Sequence, residues 1–270
     1  MPPPFSHSWG FAAILPFYIF ATFSYALRVA SGRAIFSAVA LRLTLIGFLV
    51  QLTFLILHLS EIGLPFFEGR FETYQVVGAS VTATFLVLSF LPRRRFFALG
   101  IVLVPVALLF TTLSLTQRIA YSVPGHFLEN PWAFVHLVFV SIGMAIFVAG
   151  FGTGILYIVR EDRLKKKRVG GFLERLPSLE EMDLMYYRLL YTGFVFYTIG
   201  IITGGGWSKS VTGVYLSGDF KQILSLGIWV FFALFLNLRS AKGWIGKKGV
   251  LVSSAGFVAA LILFTWLQSR

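Results

Sequence analysis

Four histidines, His7, His58, His126 and His136, hold most of the chemical reach of this chain. A neutral imidazole offers one lone pair to a metal and can bind haem iron axially. No cysteine is present. Disulfides, thiolate metal sites, cysteine redox chemistry and C-x-x-C-H haem attachment are therefore excluded. Zinc fits poorly, because no pair of histidines has the i, i+4 spacing of an H-x-x-x-H site. Glu61, Glu68, Glu72 and Asp219 are candidates for paired carboxylates in a proton path; the alternative is that they solvate outer loops. No order of Ser, His and Asp suggests a hydrolase. The runs "GFGTG" at 150–154 and "GGGW" at 204–207 are not dinucleotide fingerprints, since neither follows a strand in a βαβ unit.

What must position these residues is a membrane bundle. The chain has 270 residues, 57% of them hydrophobic and 17% aromatic, and only 13% charged. That composition is far from a soluble globular protein and fits a polytopic membrane protein. Apolar runs of about 20 residues are long enough to cross the bilayer core. Eight such spans are expected, at roughly 9–29, 39–59, 74–91, 97–115, 132–159, 186–204, 221–237 and 248–267. The expected fold is all-α, one transmembrane domain over residues 1–270. The start, "MPPPFSHSWG", lacks a charged n-region and an A-x-A-like cleavage site, so the first span reads as retained.

Connections between these spans alternate between two sides, and 18 of the 23 Lys and Arg fall on one of them. They include "PRRR" at 92–95, "REDRLKKKR" at 160–168 and the group Arg239, Lys242, Lys247 and Lys248. That side is assigned to the cytoplasm, which places both termini outside. The expected location is an inner (cytoplasmic) membrane, crossed several times. The net charge of +12 then orients the chain and meets anionic lipid, so nucleic acid is not an expected partner. All four histidines fall outside or at outer ends of spans. Gathered on one face among aromatics, they could hold a haem at the outer leaflet; the other reading is a set of hydrogen-bonded interfacial anchors.

The connection over 160–185 is the longest inner one. It is basic, then carries "LPSLEEMDLMYYR" at 176–188, where Ser178 and Glu181 match a capping box behind Pro177. An amphipathic helix is expected to start there and to run into the sixth span. Leu179, Met182 and Tyr186 would line one face on the membrane surface, either as a plain interfacial helix or as a docking site. The fifth span is 28 residues long, about 42 Å of helix, so it must tilt or project. "GFGTG" supplies small residues for close helix packing. The outer connections, at 60–73, 116–131 and 205–220, are too short to house a soluble active site.

Residues 130–162 and 176–208, together with "LRSAKGWIGKKGVLVSSAGFVAALILF" (238–264), resemble the cytochrome c assembly family, which includes CcsA, CcmC and a HemX-like branch. The likeness covers roughly 130–267 well. The first half is similar only locally, as in "GLPFFEGRFETYQ" at 63–75. Length, span count and orientation resemble the HemX-like branch. "GVYLSGDFKQ" at 213–222 looks like the family's outer signature G-x-Y-W-x-W-D-P-K-E, keeping Gly213, Tyr215, Asp219 and Lys221. Leu216 and Gly218 replace the two Trp, Phe220 replaces Pro, and Gln222 replaces Glu. Trp207 matches the Trp that opens the segment.

The resemblance implies that residues 205–222 form an outer surface lying against haem. It implies a haem b cofactor, binding or presentation of haem for cytochrome c biogenesis, and contacts from Trp207, Tyr215, Asp219 and Lys221. His136 matches the family's outer His and is the expected iron ligand. The usual partners are absent, since Asn237 stands where an intramembrane His would be. His58, His126 or His7 would then supply the second ligand, with His126 and His58 the nearer candidates in expected height. Expected partners are the lipid bilayer and other cytochrome c assembly or tetrapyrrole-synthesis proteins. Two other functions are open: a haem-free, HemX-like scaffold or regulator of tetrapyrrole synthesis, and a membrane subunit of a redox complex.

Overall fold

A computed structural model describes residues 8–62, 70–90, 98–117, 131–167, 176–242 and 246–269. Those residues form helices and their connections: α1 (Ser8–Ala12), α2 (Leu15–Ser31), α3 (Ala34–Ile62), α4 (Arg70–Phe90), α5 (Gly100–Leu115), α6 (Pro131–Lys165), α7 (Leu179–Thr212), α8 (Phe220–Lys242) and α9 (Lys247–Ser269). Six segments are long and apolar enough to cross a membrane: Gly10–Ser31, Ala34–Ser60, Arg70–Phe90, Pro131–Lys165, Leu179–Thr212 and Phe220–Ala241. The shorter apolar α5 and the 23-residue α9 occupy the remaining two expected spans. The chain is therefore a multi-pass helical membrane protein. It divides into two compact units, Met1–Glu129 with Gly170–Leu176, and Asn130–Val169 with Pro177–Arg270.

In the first unit, α2 packs on α3 and α5, and α4 on α5. Tyr18, Tyr25, Phe71, Phe85, Leu103 and Phe110 form its core. Buried polar groups in hydrocarbon must find partners, and here they find each other across helices. The Tyr18 hydroxyl donates to Gln51 Oε1 (2.7 Å), Gln51 Nε2 to Gln75 Oε1 (2.7 Å), and Gln75 Nε2 to Ser114 Oγ (2.7 Å). This ladder ties α2, α3, α4 and α5 together. Near the far end of α3, His58 Nε2 lies 2.9 Å from Glu72 Oε1, with Phe11 and Phe71 edge-on to the imidazole.

In the second unit, α6 and α7 run antiparallel along a seam of glycines. A Cβ on Gly143 would stand 2.9 Å from the Tyr197 amide nitrogen, and one on Gly200 would stand 2.5 Å from Val140 Cγ2. Such close backbone approach is how helices associate where lipid gives no hydrophobic drive. Gly150 and Gly154, the pair expected to pack closely, meet Leu190 and Val250. Phe147 on α6 stacks on Phe232 of α8 at 4.4 Å, and Trp229 Nε1 donates to Thr198 Oγ1 (2.9 Å).

The start of α7 follows the expected capping box: the Glu181 amide donates to Ser178 Oγ (3.2 Å), and the Ser178 amide to Glu181 Oε2 (2.9 Å). Two details differ from the sequence-based expectation. Met182 and Tyr186 do not lie on the membrane surface; both are fully buried. Because α7 is one unbroken helix of 34 residues, its first turns carry the same buried face as the span that follows. That face is anchored by Asp183, whose carboxylate pairs with Arg239 at the end of α8 and accepts the Gly246 amide (3.1 Å) before α9. The second difference is that residues 205–212 are not a loop. They continue α7, which ends only at Gly213 with φ +81°.

Candidate functional site

The glycine run 204–206 sits inside a helix because two rings need the space. On α6, Trp132 and His136 are one turn apart and point the same way. A Cβ on Gly204 would stand 2.7 Å from His136 Nδ1, and a Cβ on Gly206 would stand 2.9 Å from the Trp132 indole. Glycine is a weak helix former, yet any larger residue here would expel one of the rings. Tyr215 returns over the same run, its carbonyl oxygen 3.7 Å from where a Gly205 Cβ would be.

His136 Nδ1 lies 2.7 Å from the Gly200 carbonyl oxygen. A carbonyl only accepts, so Nδ1 carries the proton and donates it. That fixes the tautomer and leaves the lone pair of the neutral ring on Nε2. A backbone carbonyl holding the second nitrogen is the usual way a protein orients a metal-binding imidazole. The Trp207 ring lies beside the imidazole, with centroids 5.9 Å apart. Trp207 Nε1 is buried and has no hydrogen-bond acceptor among the described residues. A ring nitrogen set up as a ligand, next to an indole N–H lacking its acceptor, fits a cofactor that carries a metal and polar substituents. No cluster of three or more His, Cys, Asp or Glu able to hold a bare metal ion occurs among the described residues.

The remaining candidates fall into three groups. Tyr215 is exposed, and Lys209 Nζ both donates to its hydroxyl (3.1 Å) and lies over its ring (4.3 Å). Asp219, on the same connection, and Lys221, in the first turn of α8, are exposed. Asp219 accepts from Ser217 Oγ (2.8 Å), and Gln222 accepts the Ser217 amide (2.8 Å). These two side chains brace the turn into α8. Lys221 carries its ammonium outward with no ion pair among the described residues. Gly218, in the place of a family Trp, takes φ +77°, a conformation a bulky residue would resist. His58 lies in the first unit, held on Glu72. His126 and His7 lie outside the described residues, as do Glu68 and the "PRRR" run. The structure therefore brings His136, Trp207 and Tyr215 to one glycine-lined end of α6 and α7.

Sequence reasoning missed Trp132, which packs into the same glycine run, and Asp183 with Arg239, which ties the opposite end of the unit. The signals were present: Trp132 precedes His136 by four residues, and Asp183 lies between the capping box and the sixth span.

The glycine requirement can be tested directly. Gly204→Ala is expected to push the His136 ring off its carbonyl and to cost about 1–3 kcal/mol through overpacking. The thermal unfolding midpoint in detergent should fall, whereas Gly227→Ala, where no atom lies within 4 Å, should leave it unchanged or raise it. Equal midpoints for Gly204→Ala and wild type would refute this packing.

The family model described as "Cytochrome C assembly protein" matches residues 48–269, so the match reaches well into the first unit. Among curated proteins, the "Cytochrome c biogenesis protein CcsA" of Chlamydomonas reinhardtii is 31% identical over 166 residues, covering 59% of this chain and 45% of that protein. CcsA of Prochlorococcus marinus (strain MIT 9301) is 29% identical over 156 residues, 51% of this chain and 50% of that one. CcsA of Guillardia theta is 28% identical over 193 residues, 64% of each. This chain thus spans about half to two thirds of the length of these relatives. Among solved structures, "Cytochrome c Heme Lyase CcmF" aligns with a TM-score of 0.67 at 15% identity, covering 96% of this chain and 47% of that one. At that identity the likeness speaks for the fold alone. These relatives bear the CcsA and CcmF names and give no support to a HemX-like placement.

Proposed function

The chain belongs to the cytochrome c assembly protein family, and on that premise we propose that it binds haem through His136 at the outer end of α6 and α7 and presents it for cytochrome c maturation. The observation that carries this reading is the His136 tautomer: Nδ1 is spent on the Gly200 carbonyl, and Nε2 keeps the lone pair that iron needs. Trp207, whose indole N–H meets no acceptor among the described residues, and Tyr215 supply the aromatic surface beside it. Lys221 offers a cation that suits a propionate.

In this reading the haem is of the b type and is held without thioether bonds, which a chain lacking cysteine cannot form. When bound, the haem supplies the redox chemistry, and the protein holds and orients it. In this reading His58 is not the iron ligand. Its Nε2 is on Glu72, and turning it to iron would strand a buried carboxylate. The protein acts with other assembly components in the membrane. In this reading the chain sits in an inner (cytoplasmic) membrane, its Lys- and Arg-rich connections facing the cytoplasm.

The test is an absorption titration of the purified full chain with haem in detergent. A saturable, shifted Soret band at one haem per chain is expected. No such band at any haem concentration would end this reading.

A further inference from the structure

The apolar run of α6 ends at Val159, which is exposed, and the helix continues beyond it to Lys165. Val159, Arg163 and Lys166 recur at i, i+4 and i+7, and all three are exposed. One face of the helix end therefore passes from apolar to cationic. Arg163 stands about 6 Å of helix beyond Val159, and the headgroup layer of one leaflet is about 5–7 Å deep. The anions found at that depth are lipid phosphates.

Asp162 borders the same face and brings α9 to it, for Lys247 Nζ donates to Asp162 Oδ1 (2.8 Å). Packing fixes the first turn of α9 there, since a Cβ on Gly154 would stand 2.7 Å from Val250 Cγ1. Lys248 follows and is exposed. Lys167 takes φ +53° just past the end of α6, its amide donating to the Leu164 carbonyl (3.0 Å). Lys165, Lys166 and Lys167 thus crowd one turn. With Arg163, Lys247 and Lys248 they make six cations, set against the two acids Glu161 and Asp162, for a net charge of +4. Helix dipoles do not account for this excess. The C-terminus of α6 carries about −0.5 of a charge and the N-terminus of α9 about +0.5, so the two offset each other.

We propose that this junction of α6 and α9 binds one anionic phospholipid, with the phosphate held by Arg163, Lys166 and Lys248 and an acyl chain lying along Val159. Charge complementarity and depth select the ligand. A zwitterionic lipid brings its own cation to a site already rich in cations, and a soluble phosphate makes no use of the apolar strip. The lipid neutralises charges that two helices hold together, so its binding stabilises the fold by linkage. The site lies at the end of α6 opposite His136 and is independent of the haem reading.

The purified full chain in detergent is titrated with phosphatidylglycerol or phosphatidylcholine. Native mass spectrometry counts the bound lipid, and the thermal unfolding midpoint is followed alongside. Wild type should hold one phosphatidylglycerol about tenfold or more tighter than phosphatidylcholine, and only the former should raise the midpoint. Arg163→Gln with Lys166→Gln and Lys248→Gln should bring the two lipids to within about twofold of each other. Arg33→Gln with Arg42→Gln and Arg188→Gln removes the same charge from exposed positions elsewhere and should leave the preference intact. Equal affinity of wild type for the two lipids would overturn the proposal. So would equal losses in the two triple variants, which would mean diffuse attraction to the whole basic side. Inorganic phosphate should leave the wild-type midpoint unchanged; a rise matching that of phosphatidylglycerol would overturn the assignment to a lipid. Should the first triple variant not fold, Lys166→Glu is titrated alone, and an unchanged preference overturns the proposal.

Discussion

Replacing Asp183 with Ala is expected to destabilise the folded protein by about 3–5 kcal/mol, seen as a large drop in the thermal unfolding midpoint. The Asp183 and Arg239 side chains are 11% and 6% exposed. Removing the acid takes the paired carboxylate away from a buried guanidinium, which is much more costly than losing a surface ion pair. The rings of Tyr187 and Tyr186, 4.9 and 5.6 Å from the guanidinium carbon, would soften this through cation–π attraction without replacing the carboxylate. Asp183 also accepts the Gly246 amide at the entry to α9, so its loss loosens three helices together. Asp183→Asn keeps an acceptor for that amide and should fall between Ala and wild type. The double substitution Asp183→Leu with Arg239→Leu should recover much of the loss, since two apolar groups leave no charge unpaired. A midpoint for Asp183→Ala within a degree or two of wild type would contradict this account of the clamp.

The clamp also shows what could and could not be read from sequence. Spans announce themselves through some 20 consecutive apolar residues, so the six long spans were legible, with α5 and α9 lying where two more were expected, and so was the Ser178 capping box, which depends on residues three apart. Partners far apart in sequence were not. Asp183 meets Arg239 across 56 positions, and Gln51 meets Gln75 across 24; nothing local marks either pair. The segment 204–212 misled in the opposite way. Three glycines followed by Trp, Ser and Lys look like a loop by propensity, and propensity was overridden by packing. The rings of His136 and Trp132 occupy the space that side chains would fill, so glycine is the residue that lets α7 continue there.

The same logic explains why the candidate site was half legible. His136 stood out as a histidine near the start of an apolar run, and the family resemblance pointed to it. Its hydrogen bond to Gly200 spans 64 positions, and no spacing rule reaches that far. Trp207 was legible as an aromatic in the segment after the sixth span, but that its N–H meets no acceptor among the described residues is a property of the packed structure alone. Asp219 and Gln222 illustrate the reverse. They align with the family's outer signature, and the structure has both bracing a turn through Ser217.

The central claim is that His136 supplies the iron ligand. Removing it should weaken haem binding on the order of 100-fold or more, since changes in residues that merely support a metal ligand already cost about 10–100-fold. Truncation to glycine opens a space that free imidazole can enter. Haem is therefore added to purified His136→Gly in detergent, with and without imidazole, and the Soret band is recorded. Loss of the wild-type band without imidazole, and its return when imidazole is added, is the result expected. A His136→Gly protein that binds haem with an unchanged band and affinity would contradict the account.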